Sequence, residues 1–589
     1  MKFSHAAIVL STLAVSSNIA QSANLTEADE VAWLFDATQI LSYNLVMTEE
    51  NLAFLNADPM AEETVPCNVT VNYVDPLTGI SSDTYEPLTL IGAGCRYKGN
   101  QGSFGGCVDI SDGSIIEDST SCRTLSWKVD SNNFAEDFDQ VDNQKFYGLK
   151  KLLFHGIQKD SSMLGERLAY TALGERLTNS PRITAARVFV NGEYYGVYNF
   201  VEEVDDIFVE SRYTEEDVPL GALWKEVWFP SAGHPNSLYD LNTNEFEPDE
   251  VGDDDFTGLA QLSEVAQLAI ECLAGDNCDQ TAAQAILDGR VDSNSFLNSF
   301  LINYLMLNWD SAQRFFADTS DPSYPYYNHN FYLYVPQNGT IEYIPWDYSE
   351  ALDVASCGFD AAYTSGNEEG GQGGFGGAQG GPPDLAENSA ETGTQGGAAP
   401  VQNVAGVDSN STDMAAPQGE DLGAIVVPGE VVDVNAGIVG GPPAGGSPTG
   451  GQGGQGAGSS TCPEMPHWFD TDFDELLCSS GATLNGIGGN TVTIPFACDP
   501  VGKIMALAWK TQFLELVAQA TGEENFLGGI NTHAKEFAIQ EADDVERYAD
   551  QGGIPSVSDF QWGVVEALQK AGTESMYWFS YTNNATSLA

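Results

Sequence analysis

The chain has 589 residues, of which 85 are acidic and 22 are lysine or arginine, and its formal net charge is −63. This length allows two to four domains. Because so negative a surface repels phosphate backbones, the composition argues against nucleic acid as a partner and suits cations, mineral surfaces or a salty exterior. Aromatic residues make up 11% of the chain, so most of it is expected to fold despite the charge.

Residues 1–23 have the pattern of a secretory signal peptide. Lys2 precedes an apolar run from Ala6 to about Val15, and small residues follow it. A buried N-terminal helix is the alternative interpretation of this run. The run is too short to cross a bilayer, and no later stretch reaches the roughly 18 apolar residues that a span needs. The sequence therefore predicts a secreted, extracellular protein without a membrane span.

Ten cysteines follow the predicted signal peptide. An even number in this setting favours disulfides over free thiols, and the lack of any C-x2-C pair argues against a thiolate zinc site. We expect pairing within the first four cysteines, between Cys272 and Cys278, and within the last four. Sequons of a glycoprotein fit the same route and begin at Asn68, Asn338, Asn410 and Asn584.

β-Structure is predicted for residues 24 to about 146. This region has short alternating runs, such as "CNVTVNYV" and "TLSWKVD", that are separated by Gly and Asp. A helix is predicted next, in "DSSMLGERLAYTALGERL", with Ser161 or Ser162 as its N-cap. The segment "ITAARVFVNGEYYGVYNFVEE" predicts a hairpin that turns at Asn191-Gly192.

The chain then becomes richer in helix. The segments "TGLAQLSEVAQLAIECLAG" and "SNSFLNSFLINYLMLNW" are helical in pattern, and "NHNFYLYVPQNGTIEYIPWD" predicts a second hairpin. Residues 366–460 are Gly, Gln, Pro, Ala and acid, and we predict a disordered acidic insertion there, or a tether that binds cations or mineral. Further helices begin with "VGKIMALAWKTQFLELVAQA". This order predicts an α+β fold in two lobes, with a β-rich N-lobe and a helix-rich C-lobe.

Polar side chains recur at the ends of these elements in a recognisable order. A Gly-rich stretch, "GCRYKGNQGSFGG" (94–106), precedes a strand lysine, a helix glutamate, two hairpin glutamates, an aspartate, an asparagine and a last aspartate. Those side chains are Lys128, Glu166, Glu202, Glu203, Asp310, Asn330 and Asp347. This is the order of parts in a phosphoryl-transfer enzyme of the protein-kinase type.

Each residue type suits one task in that chemistry. Glycines let backbone N–H groups approach phosphate, a lysine pairs with phosphate oxygens, and a glutamate positions the lysine. An aspartate accepts the proton of the acceptor hydroxyl, and Asn and Asp oxygens bind a hard cation. Each residue also has an ordinary interpretation as a strand-edge lysine, an exposed helix residue, a turn residue or a cap.

The segments "RYKGN", "LSWKVD", "ERLAY", "VFVNGEYYGVYNFVEEVD", "LWK", "LNWD", "HNFYLY" and "IPWD" resemble the spore coat protein H (CotH) kinase family. The resemblance covers roughly residues 30–350. It implies an atypical secreted protein kinase that uses ATP with Mg²⁺ or Mn²⁺ and phosphorylates Ser or Thr of secreted or cell-surface proteins. The domains would be a signal peptide (1–23), a CotH-like kinase region (24–365), the insertion (366–460) and a C-terminal helical part (461–589).

The resemblance also implies roles for single residues. Asp310 would be the catalytic acid/base residue, Lys128 the phosphate-contacting lysine and Glu166 its helix partner. Lys225 matches a family position without an assigned role. Nucleotide contacts would come from Lys128, Glu202, Gly94, Arg96 and Gly99.

The resemblance also implies that Asn330 and Asp347 bind the metal. The stretch between Asp310 and Asn330 is longer than in the family, so Asn328 is an alternative ligand. Family members often carry a second acid two positions after the aspartate of "PWD", where this chain has Ser349. A catalytically inactive surface, matrix or adhesion protein on the same scaffold is therefore the alternative function. A metal-dependent hydrolase ranks last, because the six histidines form no ligand pattern.

Overall fold

The computed structural model describes 22 ranges of the chain and scattered positions between 560 and 575. The ranges are 27–61, 63–72, 88–99, 104, 107–108, 116, 125–140, 143–157, 160, 162–213, 221–226, 246–248, 257–308, 310–318, 330–336, 340–352, 424–427, 430–433, 468–469, 482–483, 491–522 and 525–550. The predicted signal peptide and most of the predicted insertion lie outside the described residues.

Seven strands close into a barrel, in the order β1-β2-β3-β4-β5-β7-β6. They are β1 (Leu41–Val46), β2 (Val65–Asn72), β3 (Thr89–Tyr97), β4 (Trp127–Asp130), β5 (Lys151–Gly156), β6 (Ile183–Val190) and β7 (Glu193–Val201). The neighbours are antiparallel except β1 and β6, whose parallel pairing closes the barrel. Closure removes the free strand edges. Aromatic side chains such as Tyr43, Trp127 and Phe154 fill the interior.

The hairpin of β6 and β7 turns at the predicted dipeptide. Asn191 has φ 51° and Gly192 has φ 82°, the pair of positive values that a two-residue hairpin turn requires. The Asn191 carboxamide also accepts a hydrogen bond from the Met47 N–H at 2.9 Å, which ties the turn to β1. The predicted hairpin is confirmed.

Nine helices are described, in chain order, within the residues given above. They are α1 (Glu27–Leu34), α2 (Glu49–Ala57), α3 (Gly165–Gly174), α4 (Asp206–Arg212), α5 (Thr257–Leu273), α6 (Gln280–Leu287), α7 (Ser293–Leu305), α8 (Pro500–Gly522) and α9 (Asn525–Asp550). None of these helices has the length and apolarity that a bilayer crossing would need.

A second sheet has four strands in the order β12-β11-β8-β9. The strands that follow the barrel are β8 (Ala222–Glu226), β9 (Phe246–Pro248), β10 (Arg314–Asp318), β11 (Phe331–Val335) and β12 (Glu342–Pro345). Buried side chains of this sheet and of helices α3 and α5 to α9 share one apolar cluster, while the barrel interior forms another. The fold is α+β, as the sequence predicts.

Two disulfides fall within the described residues. Cys67–Cys95 links β2 to β3, and Cys272–Cys278 closes the loop after α5. The predicted Cys272–Cys278 pair is confirmed, and Cys67–Cys95 is a pair within the first four cysteines, as expected. Cys107 is also disulfide-bonded. The pairing of the last four cysteines stays a prediction.

The segment predicted as a disordered insertion contains a short hairpin. Its strands are β13 (Ala424–Val427) and β14 (Glu430–Asp433), which pair antiparallel, and β13 lies against α9. The local sequence explains the difference, because "AIVVPGEVVD" places β-branched residues on both sides of a turn dipeptide. The rest of the segment lies outside the described residues.

Candidate active site

Asn330 and Asp347 lie at the same end of the β11–β12 hairpin. Phe331 pairs with Pro345, and the Trp346 N–H donates to the Asn330 carbonyl at 3.2 Å. Asn330 has φ 67° and Asp347 has φ 49°, so the backbone of both residues has the positive φ of the left-handed region. Asn and Asp tolerate that region better than other non-glycine residues. Such constrained positions cluster at functional sites.

Asp310 contacts Asn330 directly. The Asn330 carboxamide N–H₂ donates to the Asp310 carbonyl at 2.7 Å and to its carboxylate at 3.0 Å, and both residues are buried. The predicted catalytic aspartate and one predicted metal ligand are therefore adjacent in the fold.

The Trp346 side chain, next to Asp347 in the chain, packs against two other rings. Its ring meets the His155 ring edge-on at 5.9 Å between centroids and the Tyr332 ring at 5.6 Å. The Lys98 ammonium lies 5.5 Å from the Trp346 centroid, in cation–π range. The Pro-Trp pair thus ends β12 against a packed aromatic surface and presents Asp347 next to it.

Lys128 forms an ion pair with Glu203 rather than Glu166. The Lys128 ammonium donates to the Glu203 carboxylate at 2.9 Å, and the Glu203 side chain is 8% exposed. Burial alone would raise the pKa of Glu203, but Lys128, Lys225 and Lys151 lower it to about 2. Glu203 is thus ionised at physiological pH.

Glu166 contacts two other side chains instead. His155 Nδ1 lies 2.8 Å from one Glu166 oxygen, and Asn199 donates to the other oxygen at 3.0 Å. His155 and Asn199 are cross-strand partners on β5 and β7, so both reach the same carboxylate. This geometry corrects the predicted Lys128–Glu166 contact: β5, which carries His155, pairs with β7 and supplies the partner of the helix glutamate.

Helix α3 presents Glu166 in its first turn. The N–H of Gly165 donates to the Asp160 carboxylate at 2.7 Å, and the same carboxylate accepts from Ser162. The N-cap residue is Leu164, which makes no side-chain capping bond, so the predicted N-cap at Ser161 or Ser162 is wrong, and the Asp160 carboxylate accepts from the first N–H of the helix instead. An acidic side chain in the first turn also interacts favourably with the helix dipole.

Lys98 adds a second lysine to the site. Its ammonium lies 3.0 Å from His155 Nε2, and its backbone N–H continues the β3–β4 ladder by donating to Ser126 at 2.8 Å. Burial lowers the pKa of Lys98, while the negative charges of Asp347 and Glu203 oppose that shift. Lys98 thus connects the acids of the β11–β12 hairpin with those of α3 and β7.

Asp347 is held in its charged form. Burial would raise the pKa of Asp347, but the nearby Lys98 ammonium and a hydrogen bond from Ser349 oppose that effect, and the pKa is lowered. The Ser349 N–H donates to the Asp347 carboxylate at 3.1 Å. The Ser349 backbone thus supports Asp347 from two residues further along the chain.

The remaining nucleotide-site predictions meet a different geometry. Both Glu202 oxygens are engaged by the guanidinium groups of Arg182 and Arg212. A nucleotide contact by Glu202 stays a prediction, and it would fall to the main chain because the side chain is committed to these arginines.

In the Gly-rich stretch, Gly94 is a packing position, since a Cβ there would collide with Thr64 and Asn133. Gly99 has φ 144°, which favours glycine, and Arg96 donates to the Tyr97 carbonyl at 3.1 Å. Nucleotide binding by these residues stays a prediction.

The oxygen atoms that could ligate a cation belong to Asp347, Asn330 and Asp310. Within the described residues, no three His, Cys, Asp or Glu side chains form a ready metal cage. Mg²⁺ usually keeps several waters and takes only one or two carboxylates together with phosphate oxygens. The donor set therefore fits a cation that arrives with a polyphosphate. Asn328 lies outside the described residues.

A family model described as CotH kinase protein matches residues 95–386. Residues 95–386 belong to the CotH kinase family. The matched region begins in β3 and includes every site residue named above from Arg96 to Ser349. Membership suggests a protein-kinase-like function and implies the use of ATP. No curated protein matches the chain.

Sequence reasoning missed Lys98, His155 and Asn199 and chose Glu202 over Glu203. Lys98 stands inside the "RYKGN" segment, and His155 is a single polar ring in the apolar strand "KLLFHG". These two sequence features could have pointed to Lys98 and His155 as site residues. Glu203 and Asn199 could not be separated from their neighbours, because only strand pairing shows which side chains face the lysines.

Proposed function

We propose that the protein is a secreted CotH-type kinase that transfers the γ-phosphate of ATP to Ser or Thr of secreted or cell-surface proteins, with Mg²⁺ or Mn²⁺. Three side-chain contacts carry this proposal, Lys98–His155, Lys128–Glu203 and Asn330–Asp310, together with the charges of Asp347 and Glu203, which act on Lys98.

The roles follow from the chemistry of these groups. Lys98 and Lys128 would bind phosphate oxygens, and Asp310 would orient the acceptor hydroxyl and take its proton. Asn330 and Asp347 would hold the cation, which when bound neutralises charge on the β- and γ-phosphates. Asn330 also fixes the Asp310 carboxylate by its 3.0 Å hydrogen bond.

The barrel would be the N-lobe of a two-lobed kinase, and the second apolar cluster would be the C-lobe core. The proposed domains keep the predicted boundaries, with the kinase region at 24–365 and its helical completion at 461–589. Secretion is supported by the two disulfides, which are compatible with an extracellular protein.

A phosphotransfer assay with labelled ATP tests the proposal. We expect Asp347→Asn to lower transfer to a protein substrate or to the chain itself roughly 100-fold, the scale of losing one electrostatic contact to a transition state. Asp288→Asn is the matched control, because Asp288 is exposed at the end of α6, remote in sequence from the site. Equal transfer by wild type and Asp347→Asn would contradict the proposal.

A non-catalytic surface or adhesion protein is the second candidate. Ser349, in place of the family's acid, and the net charge of −63 favour it. A thermal melt with and without ATP and Mn²⁺ separates the two, since a ligand that binds the folded state raises the midpoint. An unchanged midpoint with no phosphotransfer would favour the adhesion protein.

A further inference from the structure

A chain of four side chains runs from Lys98 into the protein. Lys98 Nζ lies 3.0 Å from His155 Nε2, and His155 Nδ1 lies 2.8 Å from Glu166. Asn199 completes the chain by donating to the second Glu166 oxygen at 3.0 Å. The Lys98–His155–Glu166 set is called the relay below.

One arrangement of protons satisfies every contact of the relay when Lys98 is an ammonium. A lysine ammonium only donates, so in this arrangement His155 Nε2 accepts. Nδ1 then carries the ring proton and donates to Glu166. Glu166 accepts at both oxygens, and no member of the relay faces a partner of the wrong kind.

The relay is rigid at its inner end. His155 is 5% exposed and Glu166 is 6% exposed, and the Trp346 ring stands edge-on against the imidazole. Lys98 is the half-buried outer end, and the charges of Asp347 and Glu203 act on it. The buried imidazole of His155 is thus hydrogen-bonded to Lys98, whose ammonium group feels the charge of Asp347, a predicted metal ligand.

We propose that His155 is a positioning residue that holds Lys98 against the phosphate groups of the nucleotide, so that the helix glutamate Glu166 acts on Lys98 through the imidazole. Each of two lysines then has its own carboxylate: Glu203 holds Lys128 directly, and Glu166 holds Lys98 through His155. This inference rests on the proposed nucleotide-binding function.

The competing explanation is that His155 merely satisfies a buried carboxylate in the core. The two explanations differ in what the variants change. A core histidine would alter stability and leave nucleotide affinity to Lys98 alone. A positioning histidine would alter affinity, and only while Lys98 is present.

A double-mutant cycle on the affinity for ATP with Mn²⁺ separates them, with Lys98→Met, His155→Phe and the double variant. We expect each single change to weaken binding about tenfold, as for loss of one charged contact, and the double variant to be no weaker than Lys98→Met. His155→Gln keeps a donor and an acceptor and is expected to recover most of the affinity. His533→Gln is the control, because His533 pairs with the exposed Glu175, the residue that follows α3.

Affinity losses that multiply in the double variant would overturn the relay. So would a failure of His155→Phe to change affinity while Lys98→Met does change it. The KM for ATP should follow the affinity in all variants, and kcat should change less, because Lys98 contacts the nucleotide before and during transfer.

Nitrogen NMR of labelled histidine tests the relay without nucleotide. The chain has six histidines, and the His155→Gln spectrum identifies the His155 signals by their loss. We expect the Nδ1–H tautomer in the wild type, with an Nε2 signal that shifts in Lys98→Met. An Nε2–H tautomer, or no shift in Lys98→Met, would overturn the relay. A wild type that shows both NMR features but does not bind ATP would refute the proposed kinase and Lys98's phosphate contact, while leaving the hydrogen-bonded chain itself intact.

Discussion

Two buried glutamates pair with cations in this protein, and their surroundings drive their pKa values in opposite directions. At the candidate site, Glu203 pairs with Lys128, and further lysines lower its pKa to about 2. At the junction of α3 with α9, Glu541 pairs with Arg167 at 2.9 Å, and both side chains are 0% exposed. There burial raises the pKa of Glu541 to about 7, with Asp544 and Asp160 adding to it, and Arg167 only partly opposes the rise.

The difference shows that the pKa of a buried glutamate in an ion pair depends on the other charges around the pair. Glu203 is surrounded by an excess of cations, so it stays ionised and leaves net positive charge to attract an anion. Glu541 shares its region with Asp544, whose carboxylate accepts from Arg187 at 2.8 and 2.9 Å. The first arrangement suits ligand binding, and the second joins a helix to the barrel.

The largest expected effect is at the junction. Glu541→Ala removes one partner of a fully buried pair and leaves the Arg167 guanidinium uncompensated, which typically costs about 3–5 kcal/mol in the free energy of unfolding. Urea unfolding above pH 7, where Glu541 is ionised, measures it. The double variant Arg167→Met/Glu541→Met is the control, and it should recover much of the loss. A Glu541→Ala chain as stable as the wild type would show that the junction contributes nothing.

The pH dependence of stability gives the next effect. Between about pH 4.5 and 7, folded Glu541 keeps a proton that the unfolded chain has lost, so the free energy of unfolding falls as pH rises through this window. The wild type should lose up to ~3 kcal/mol relative to Glu541→Gln over that range. Urea unfolding of both chains at several pH values measures the difference. Parallel curves would contradict a protonated Glu541.

The smallest effect on stability is expected at the site. Lys128→Met leaves Glu203 with Lys225 and Lys151, and Lys128 itself is 22% exposed, so the loss should be about 1 kcal/mol. Affinity for ATP with Mn²⁺ should fall about tenfold at the same time. Lys503→Met is the control, because Lys503 lies on helix α8, whose buried side chains belong to the other apolar cluster. A larger loss of stability than for Glu541→Ala would reverse the comparison between the two pairs.

Local patterns were sufficient to predict the hairpin at Asn191-Gly192, helix α3 and the end of β12 before Asp347. These structural predictions succeeded because turn chemistry and periodicity act over a few residues. The order of polar residues and the family resemblance selected Asp310, Asn330 and Asp347. The fold places Asn330 and Asp347 at one end of the second sheet and Asp310 against Asn330, and the roles of these three residues stay predictions.

Partners across the barrel were not predictable in the same way. The sequence assigned Glu166 to Lys128, whereas the pairing of β5 with β7 brings His155 and Asn199 to Glu166 instead. The strand order of a barrel depends on contacts far apart in sequence, and one residue's shift along a strand reverses the face of its side chain. Glu203 lies two residues beyond the end of β7, and its contact with Lys128 likewise depends on packing between segments far apart in sequence.

The four lysines around Glu203 and Asp347 stand in a chain whose formal net charge is −63. An anion is therefore repelled at long range and attracted only within the last few ångströms. Dissolved salt screens the distant repulsion more than the near attraction, because the Debye length is about 8 Å at physiological ionic strength. Association of a polyphosphate with this protein should quicken as salt is added from a dilute buffer, the reverse of what a basic protein shows.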